Sequence, residues 1–248
     1  MEIVLIRHGQ PEWIVDDIYQ QNPNLSTLGH KQAELSATIF EPQSMDELWV
    51  SPLNRAQQTH QPFVDKKIAK DIFVFDWLQE MEDEEEISLY GKSTDEIMAF
   101  FAKRNTQSFE EWSEGPHGIY MKTYRENIIS NLEEELEKRG VVCTDDTYDR
   151  QFTISDDSPE KLMIISHAGT MSVLLSYFLN LDHYAWTWRI TAVRAVLRTR
   201  CTIPAPDAEQ FRQAFLRRVL AAPADKPKPV DIRVRVRQEY LRHHVRVG

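Results

Sequence analysis

Four short runs in this chain have the apolar density of buried strands: Glu2–Ile6, Leu48–Val50, Ile72–Phe75 and Leu162–Ile165. Each is followed closely by polar residues of a particular kind. Arg7-His8-Gly9 follows the first, Ser51-Pro52-Leu53-Asn54-Arg55 the second, Leu78-Gln79-Glu80 the third, and Ser166-His167-Ala168-Gly169 the fourth. An unbroken run such as Ile3-Val4-Leu5-Ile6 suits a strand covered on both faces. Helical patterns separate the runs, and this alternation predicts an α/β fold with a parallel or mostly parallel sheet. In such a sheet, ligands bind where the carboxyl ends of the strands meet loops and helix starts. If all four strands share one sheet, two histidines, two arginines and a glutamate converge on one crevice.

The helical patterns can be placed more closely. Thr27 to about Phe40 is one, and Met45–Val50 frames the strand that follows. Ser51-Pro52 reads as an N-cap with proline at the first helical position, starting a helix through about Asp65. Asp71–Phe75 is the third strand. Ser93-Thr94-Asp95-Glu96 is a capping box ahead of a helix to about Lys103. Ile119–Lys138 is a longer helix ended by Gly140, and Gly169–Leu179 is a helix behind the fourth strand.

The strand-end residues suit phosphoryl transfer. A nitrogen nucleophile must be unprotonated near neutral pH, and imidazole, with an unperturbed pKa near 6.5, meets that need. Charge on the nonbridging phosphoryl oxygens calls for fixed cations, and the arginine fork bonds phosphate in bidentate fashion. His8 is therefore the expected nucleophile, with Arg7 and Arg55 as phosphate clamps. Gly9 is expected to let the backbone turn sharply and approach the ligand. His167 is expected to bind the phosphoryl oxygens in the transition state. Departure of an alcohol needs a proton donor, for which Glu80 is the candidate; Glu82, Asp83, Glu84, Glu85 and Glu86 follow it directly. Ser51 is read as a helix cap without a catalytic role, and the acidic run as a solvated loop. The other histidines, among them His30, His60 and His117, are read as surface or core residues.

Composition excludes several classes. The 248 residues are 42% hydrophobic and 27% charged, as in ordinary globular chains. No apolar run approaches the roughly 18 residues that would span a bilayer. A strand pattern begins within two residues of Met1, so no signal peptide is expected. Cys143 and Cys201 are the only cysteines, without metal-ligand spacing, so neither a disulfide framework nor a zinc site is expected. A cytoplasmic protein fits these features.

Ile6-Arg7-His8-Gly9-Gln10 with Glu12-Trp13, followed by Leu25-Ser26-Thr27-Leu28-Gly29-His30-Lys31-Gln32-Ala33, resembles the opening of the histidine phosphatase superfamily, also called phosphoglycerate mutase-like. Ser51-Pro52-Leu53-Asn54-Arg55-Ala56-Gln57-Gln58-Thr59 is similar to its second signature, Leu78-Gln79-Glu80 to its acid segment, and Ser166-His167-Ala168-Gly169 to its second-histidine motif. The resemblance spans about residues 1–190. It implies a three-layer α/β/α sandwich, a phosphohistidine on His8, Glu80 as general acid and base, and a pocket completed by Arg7, Arg55 and His167. It implies neither a metal nor an organic cofactor. The chain departs from the pattern at Pro11 and Ile14, where many members carry Ser or Thr and Asn. One polar contact to phosphate would then be either missing or supplied by Gln10, Gln20 or Asn22. Arg125 matches a position where relatives often carry arginine.

The net charge of −10 hides a division: residues 1–188 carry −19 and residues 189–248 carry +9, with 12 of the 18 arginines. Residues 1–193 are expected to form the histidine phosphatase domain, and 194–248 an atypical arginine-rich segment, either an unusual appendage or a frameshifted or spliced terminus; in the second case it would pack poorly or be disordered. Within it, Asp207–Leu220 has a helical pattern, Ala221–Pro229 that of a linker, and Ile232–Arg237 that of a half-exposed strand. The leading expectation is a phosphatase acting on a small phosphorylated metabolite or a phosphoprotein. A phosphoglycerate mutase-like transfer and a non-catalytic phosphate-binding protein are the alternatives. The acidity of the first 188 residues disfavours nucleic acid as a partner. Aromatic residues in the segment from about Met81 to Tyr124 would stack on a ring, and its acids would disfavour highly anionic ligands.

Overall fold

The computed structural model describes residues 1–81, 89–97, 99, 114, 116–145, 151–178 and 233–236. Several expectations fall outside these residues: the acidic run, most of the aromatic segment between Met81 and Tyr124, the helix at Asp207–Leu220 and the linker after it.

Five parallel strands form the central sheet: β1 (Glu2–Arg7), β2 (Met45–Val50), β3 (Ala69–Val74), β6 (Lys161–Ser166) and β7 (Arg233–Val236), in the order β3-β2-β6-β1-β7. A separate antiparallel pair joins β4 (Val141–Asp145) and β5 (Gln151–Ile154). The helices are α1 (Trp13–Asp16), α2 (Thr27–Ala37), α3 (Asn54–Asp65), α4 (Pro116–Glu137) and α5 (Ala168–Phe178). The parallel sheet expected from the alternating pattern is present.

The period-2 alternation of β1 divides the core. Ile3 and Leu5 point to one face, where they join Trp49, Leu162 and Ile164 beneath α4 and α5. Val4 and Ile6 point to the other, with Leu48, Val50, Met163 and Ile165 beneath α2 and α3. The sheet is thus the middle of three layers. Full burial of a Leu or Ile side chain contributes about 1.5–3 kcal/mol. The central strands β1, β2 and β6 are therefore strongly held in register.

Register places the loops that matter. Arg7 pairs with Ser166, and Val50 with Ile165. The ladder continues one residue further on each side: His8 N–H donates to Ser166 O at 3.0 Å, and Ser51 N–H to Ile165 O at 3.2 Å. His8, Ser51 and His167 consequently leave the sheet side by side at its carboxyl edge.

Three local expectations are corrected. Ser51-Pro52 does not begin a helix: α3 starts at Asn54, after Leu53 in extended conformation at φ −66° and ψ 140°. The strand ladder holds Ser51, and the first helical N–H, of Asn54, is capped from a different loop by Asn22 Oδ1 at 2.8 Å. Glu80 does not directly end the third strand. β3 stops at Val74, and a 3-10 turn at Asp76–Leu78 intervenes. The β4–β5 hairpin has no counterpart among the expected strands. By contrast, the capping box is formed, with Ser93 N–H donating to Glu96 Oε2 at 2.8 Å and Glu96 N–H to Ser93 Oγ at 3.3 Å. Arg233–Val236, inside the expected half-exposed strand, pairs with β1 along Glu2–Leu5.

Candidate active site at the carboxyl edge of the sheet

His8 sits just past β1 and is 9% exposed. Its Nδ1 lies 2.7 Å from the carbonyl oxygen of Gly9. A carbonyl only accepts, so Nδ1 carries the hydrogen. Arg55 Nε donates to His8 Nε2 at 3.2 Å. A guanidinium only donates, so Nε2 presents a lone pair. Both contacts select the same neutral tautomer. Burial, then the His167 ring and the charges of Arg7 and Arg55, hold the imidazole well below its ordinary pKa range.

Arg55 stands in the first turn of α3 and is buried. Its Nη1 donates to the carbonyl of Gln21 at 2.9 Å, which fixes the guanidinium from the side opposite His8. The loop carrying Gln21 is pinned in turn: Asn22 caps Asn54, and Leu25 N–H donates to Gln58 Oε1 at 2.6 Å. The Oδ1 of Asn22 is thereby taken by the helix start.

Gly9 has a packing role that the sequence did not suggest. Among glycines of the described residues only Gly91 and Gly140 have positive φ, so the turn after His8 does not require left-handed backbone. A Cβ at Gly9 would instead run into the carbonyl of Gly29, and a Cβ at Gly29 into the carbonyl of Gln10. The paired glycines let α2 start directly against the loop. Gly9 N–H donates to Thr59 Oγ1 at 3.0 Å, and Gln10 N–H to Gln32 Oε1 at 2.8 Å. Ser26, the N-cap of α2, accepts from Gly29 N–H and donates to Gln10 Oε1 at 2.8 Å. That donor fixes the carbonyl end of the Gln10 amide toward Ser26 and leaves its NH2 end for another acceptor.

His167 follows β6 and is fully buried, its ring centroid 5.0 Å from that of His8. Burial, then Arg55 and Arg7, hold its pKa well below the ordinary range. Its Nε2 lies 2.7 Å from Ser51 Oγ, a hydroxyl that is also fully buried. The sequence reading missed this contact. Ser-Pro has the local signature of a helix cap, and the partner ring is 116 positions away.

Glu80 reaches the same edge from the far side of β2. Both of its carboxyl oxygens accept from Gly169 N–H, at 3.0 and 3.2 Å, at the start of α5. The approach is held by hydroxyls: Ser166 Oγ donates to Leu78 O at 2.7 Å, Thr170 Oγ1 to Gln79 O at 2.7 Å, and Tyr124 OH to Gln79 O at 2.9 Å. Tyr124 is raised well above the ordinary phenol range by burial first and by the Glu80 charge next, so it remains a neutral donor. Arg125 follows it on α4, with a buried Nε that has no hydrogen-bond partner among the described residues.

His8, Arg55 and His167 therefore meet, with Arg7 acting electrostatically on both rings and Glu80 bound two residues beyond His167. Among the described residues no group of three or more His, Cys, Asp or Glu side chains is placed to hold a metal ion, and no helix is long and apolar enough to cross a membrane.

Comparison with known proteins agrees with this architecture. Over 146 residues the chain is 25% identical to phosphoserine phosphatase 1 of Hydrogenobacter thermophilus, covering 56% of this chain and 65% of that protein. It is 29% identical over 121 residues to an Arabidopsis thaliana protein named "Probable 2-carboxy-D-arabinitol-1-phosphatase", covering 46% and 23% of the two chains. The chain thus spans less than two thirds of the length of either relative. The crystal structure of a phosphoserine phosphatase from Entamoeba histolytica superposes with a TM-score of 0.52 at 17% identity, covering 75% of this chain and 84% of the other, which shows a shared fold. The model of the histidine phosphatase superfamily, branch 1, matches residues 3–202, and the chain belongs to that superfamily.

Proposed function

We propose that this chain hydrolyses phosphomonoesters through a phosphohistidine on His8, without a metal ion. The observation that carries this reading is the pair of contacts on the His8 ring. Gly9 O holds the hydrogen on Nδ1, and Arg55 Nε points at the lone pair of Nε2. A neutral, oriented imidazole beside fixed cations is a nucleophile prepared for an anionic ester.

In the first step the Nε2 lone pair forms a bond to phosphorus while the bond to the ester oxygen breaks. The Arg55 N–H, no longer facing a lone pair, passes to a nonbridging oxygen, which Arg7, His167 and the Gln10 amide also serve. The leaving alkoxide takes the proton of the Glu80 carboxyl group. In the second step the Glu80 carboxylate takes a proton from water, whose oxygen attacks phosphorus. The P–N bond breaks, and the electron pair returns to Nε2. In this reading Gly9, without a side chain, lets the backbone approach the phosphoryl group.

The substrate class is a small phosphorylated metabolite, in keeping with the phosphatase names of the relatives. Two cysteines without metal-ligand spacing fit a cytoplasmic setting. Residues 1–193 are assigned to the catalytic domain and 194–248 to a segment outside the chemistry.

The test is hydrolysis of p-nitrophenyl phosphate in chelator, wild type against His8→Ala, with acid-stable and acid-labile phosphoenzyme separated after rapid quenching. Turnover that survives chelator, vanishes in the variant and yields an acid-labile phosphoryl adduct supports the reading. Turnover that requires an added divalent metal, or that persists in His8→Ala, overturns it.

A further inference from the structure

We infer that Ser51 is a positioning residue that fixes His167 in the Nδ1–H tautomer, so that this ring meets the phosphoryl group as a hydrogen-bond donor. The inference rests on the phosphatase reading for what the ring meets, but the tautomer itself follows from the geometry of the free enzyme.

Ser51 Oγ has two neighbours among the described residues. Leu53 N–H donates to it at 3.3 Å, and His167 Nε2 lies 2.7 Å away. A hydroxyl has one hydrogen and two lone pairs. Leu53 occupies a lone pair, and Ser51 is fully buried, so no water reaches the hydrogen. The hydrogen has Nε2 as its acceptor. If Nε2 carried a hydrogen instead, the serine hydroxyl would be buried without an acceptor, at a cost of about 1–3 kcal/mol. Nε2 is therefore the accepting nitrogen, and the ring hydrogen lies on Nδ1.

Nδ1 is buried and has no hydrogen-bond partner among the described residues. A buried polar atom left open calls for an explanation, and here it lies beside His8 and the two arginines expected to clamp phosphate, where a ligand supplies the partner. The guanidinium charges of Arg7 and Arg55 act on the same ring, so the ligand that this region accepts is an anion. An Nδ1 lone pair would face the oxygens of that anion and repel them, whereas Nδ1–H adds a donor. Ligand chemistry and hydroxyl satisfaction thus select the same tautomer independently. The two histidines carry the same tautomer for opposite uses: His8 presents Nε2 as a lone pair, and His167 presents Nδ1–H.

The experiment is nitrogen-15 NMR of the histidine rings in the ligand-free full chain, with His167 assigned by comparison with His167→Gln. The expected spectrum shows a protonated Nδ1 and an unprotonated Nε2 for His167 at neutral pH. A protonated Nε2 overturns the inference, whatever the activity. Ser51→Ala is expected to lose the single tautomer and to lower kcat for p-nitrophenyl phosphate by about 10- to 100-fold, the range that loss of the outer hydrogen-bond partner causes at metal-ligating histidines. Ser51→Thr, which restores the hydroxyl, is expected to recover the tautomer and most of kcat. Retention of the Nδ1–H tautomer and of full kcat in Ser51→Ala would also overturn it. If Ser51→Ala does not fold, the wild-type spectrum still decides. The phosphoenzyme assay stands apart: an absent adduct with the expected tautomer removes the phosphatase reading but leaves the Ser51–His167 assignment intact.

Discussion

Gly169 and Glu80 occupy each other's space: the Gly169 N–H donates to Glu80 Oε1 at 3.0 Å, and a Cβ at position 169 would run into that same oxygen. The helix start can hold the carboxyl group only because residue 169 has no side chain. Gly169→Ala should therefore act as a Glu80 lesion. The expected loss in kcat is about 100-fold, at the lower end of what general acid–base catalysis contributes. Combined with Glu80→Gln, it should add little further, because the two changes remove one function. Steady-state kinetics of the two single variants and the double variant decide this. Fully multiplicative losses would show that Gly169 acts elsewhere.

Arg55 is held by His8 on one side and by the Gln21 carbonyl on the other. Lysine cannot satisfy both, because it is a point charge without the planar fork. Arg55→Lys should lower kcat/KM by at least about 100-fold, the magnitude found when one oriented transition-state donor is lost. Kinetics on p-nitrophenyl phosphate test this, with circular dichroism to confirm folding.

The pH dependence of stability follows from the buried histidines. His8 and His167 have pKa values well below the ordinary 6.5, and that of His60 is lowered, each chiefly by burial. Below about pH 6.5 the unfolded chain takes up protons that the folded chain refuses, so ΔG of unfolding falls as pH falls. Above that pH these groups contribute no slope. Each fully depressed histidine adds at most about 1.4 kcal/mol per pH unit. Urea denaturation between about pH 7.5 and 5 should show the decline, and His8→Gln with His167→Gln should flatten it. Asp46 and Glu135, whose carboxyl pKa values are lowered, lose their contribution only at more acid pH. The same depression keeps His8 unprotonated in mild acid, so kcat/KM should hold below pH 6.5.

Gly29 lies in the first turn of α2, where replacing glycine by alanine ordinarily stabilises a helix by up to about 1 kcal/mol. Here a Cβ would strike the Gln10 carbonyl, a backbone atom that cannot swing away. Gly29→Ala should destabilise by about 1–3 kcal/mol, as overpacking does. Chemical denaturation gives the sign directly: a more stable variant would show that the loop after His8 yields.

The layered fold was legible because its signals are local. Ile3-Val4-Leu5-Ile6 and Leu162–Ile165 are apolar on both faces, and such strands can only be the middle of a sandwich. The motifs after β1, β2 and β6 were legible for the same reason, since their apolar runs fix where those strands stop, whereas Glu80 lies past a 3-10 turn beyond β3. The hairpin of Val141–Asp145 and Gln151–Ile154 was not, because its strands mix polar and apolar residues and stand apart from the main sheet.

By itself, then, the sequence determined an α/β sheet with His8, Arg55 and His167 brought to one edge. It did not determine what each of these groups touches. That Ser51 serves His167 instead of a helix, that Asn22 caps Asn54 from another loop, and that Gly169 makes room for Glu80 were decided by tertiary structure. Secondary structure reflects neighbours in the chain. These contacts join positions 116, 32 and 89 residues apart, and the register of β1, β2 and β6 is what brings the strand ends together.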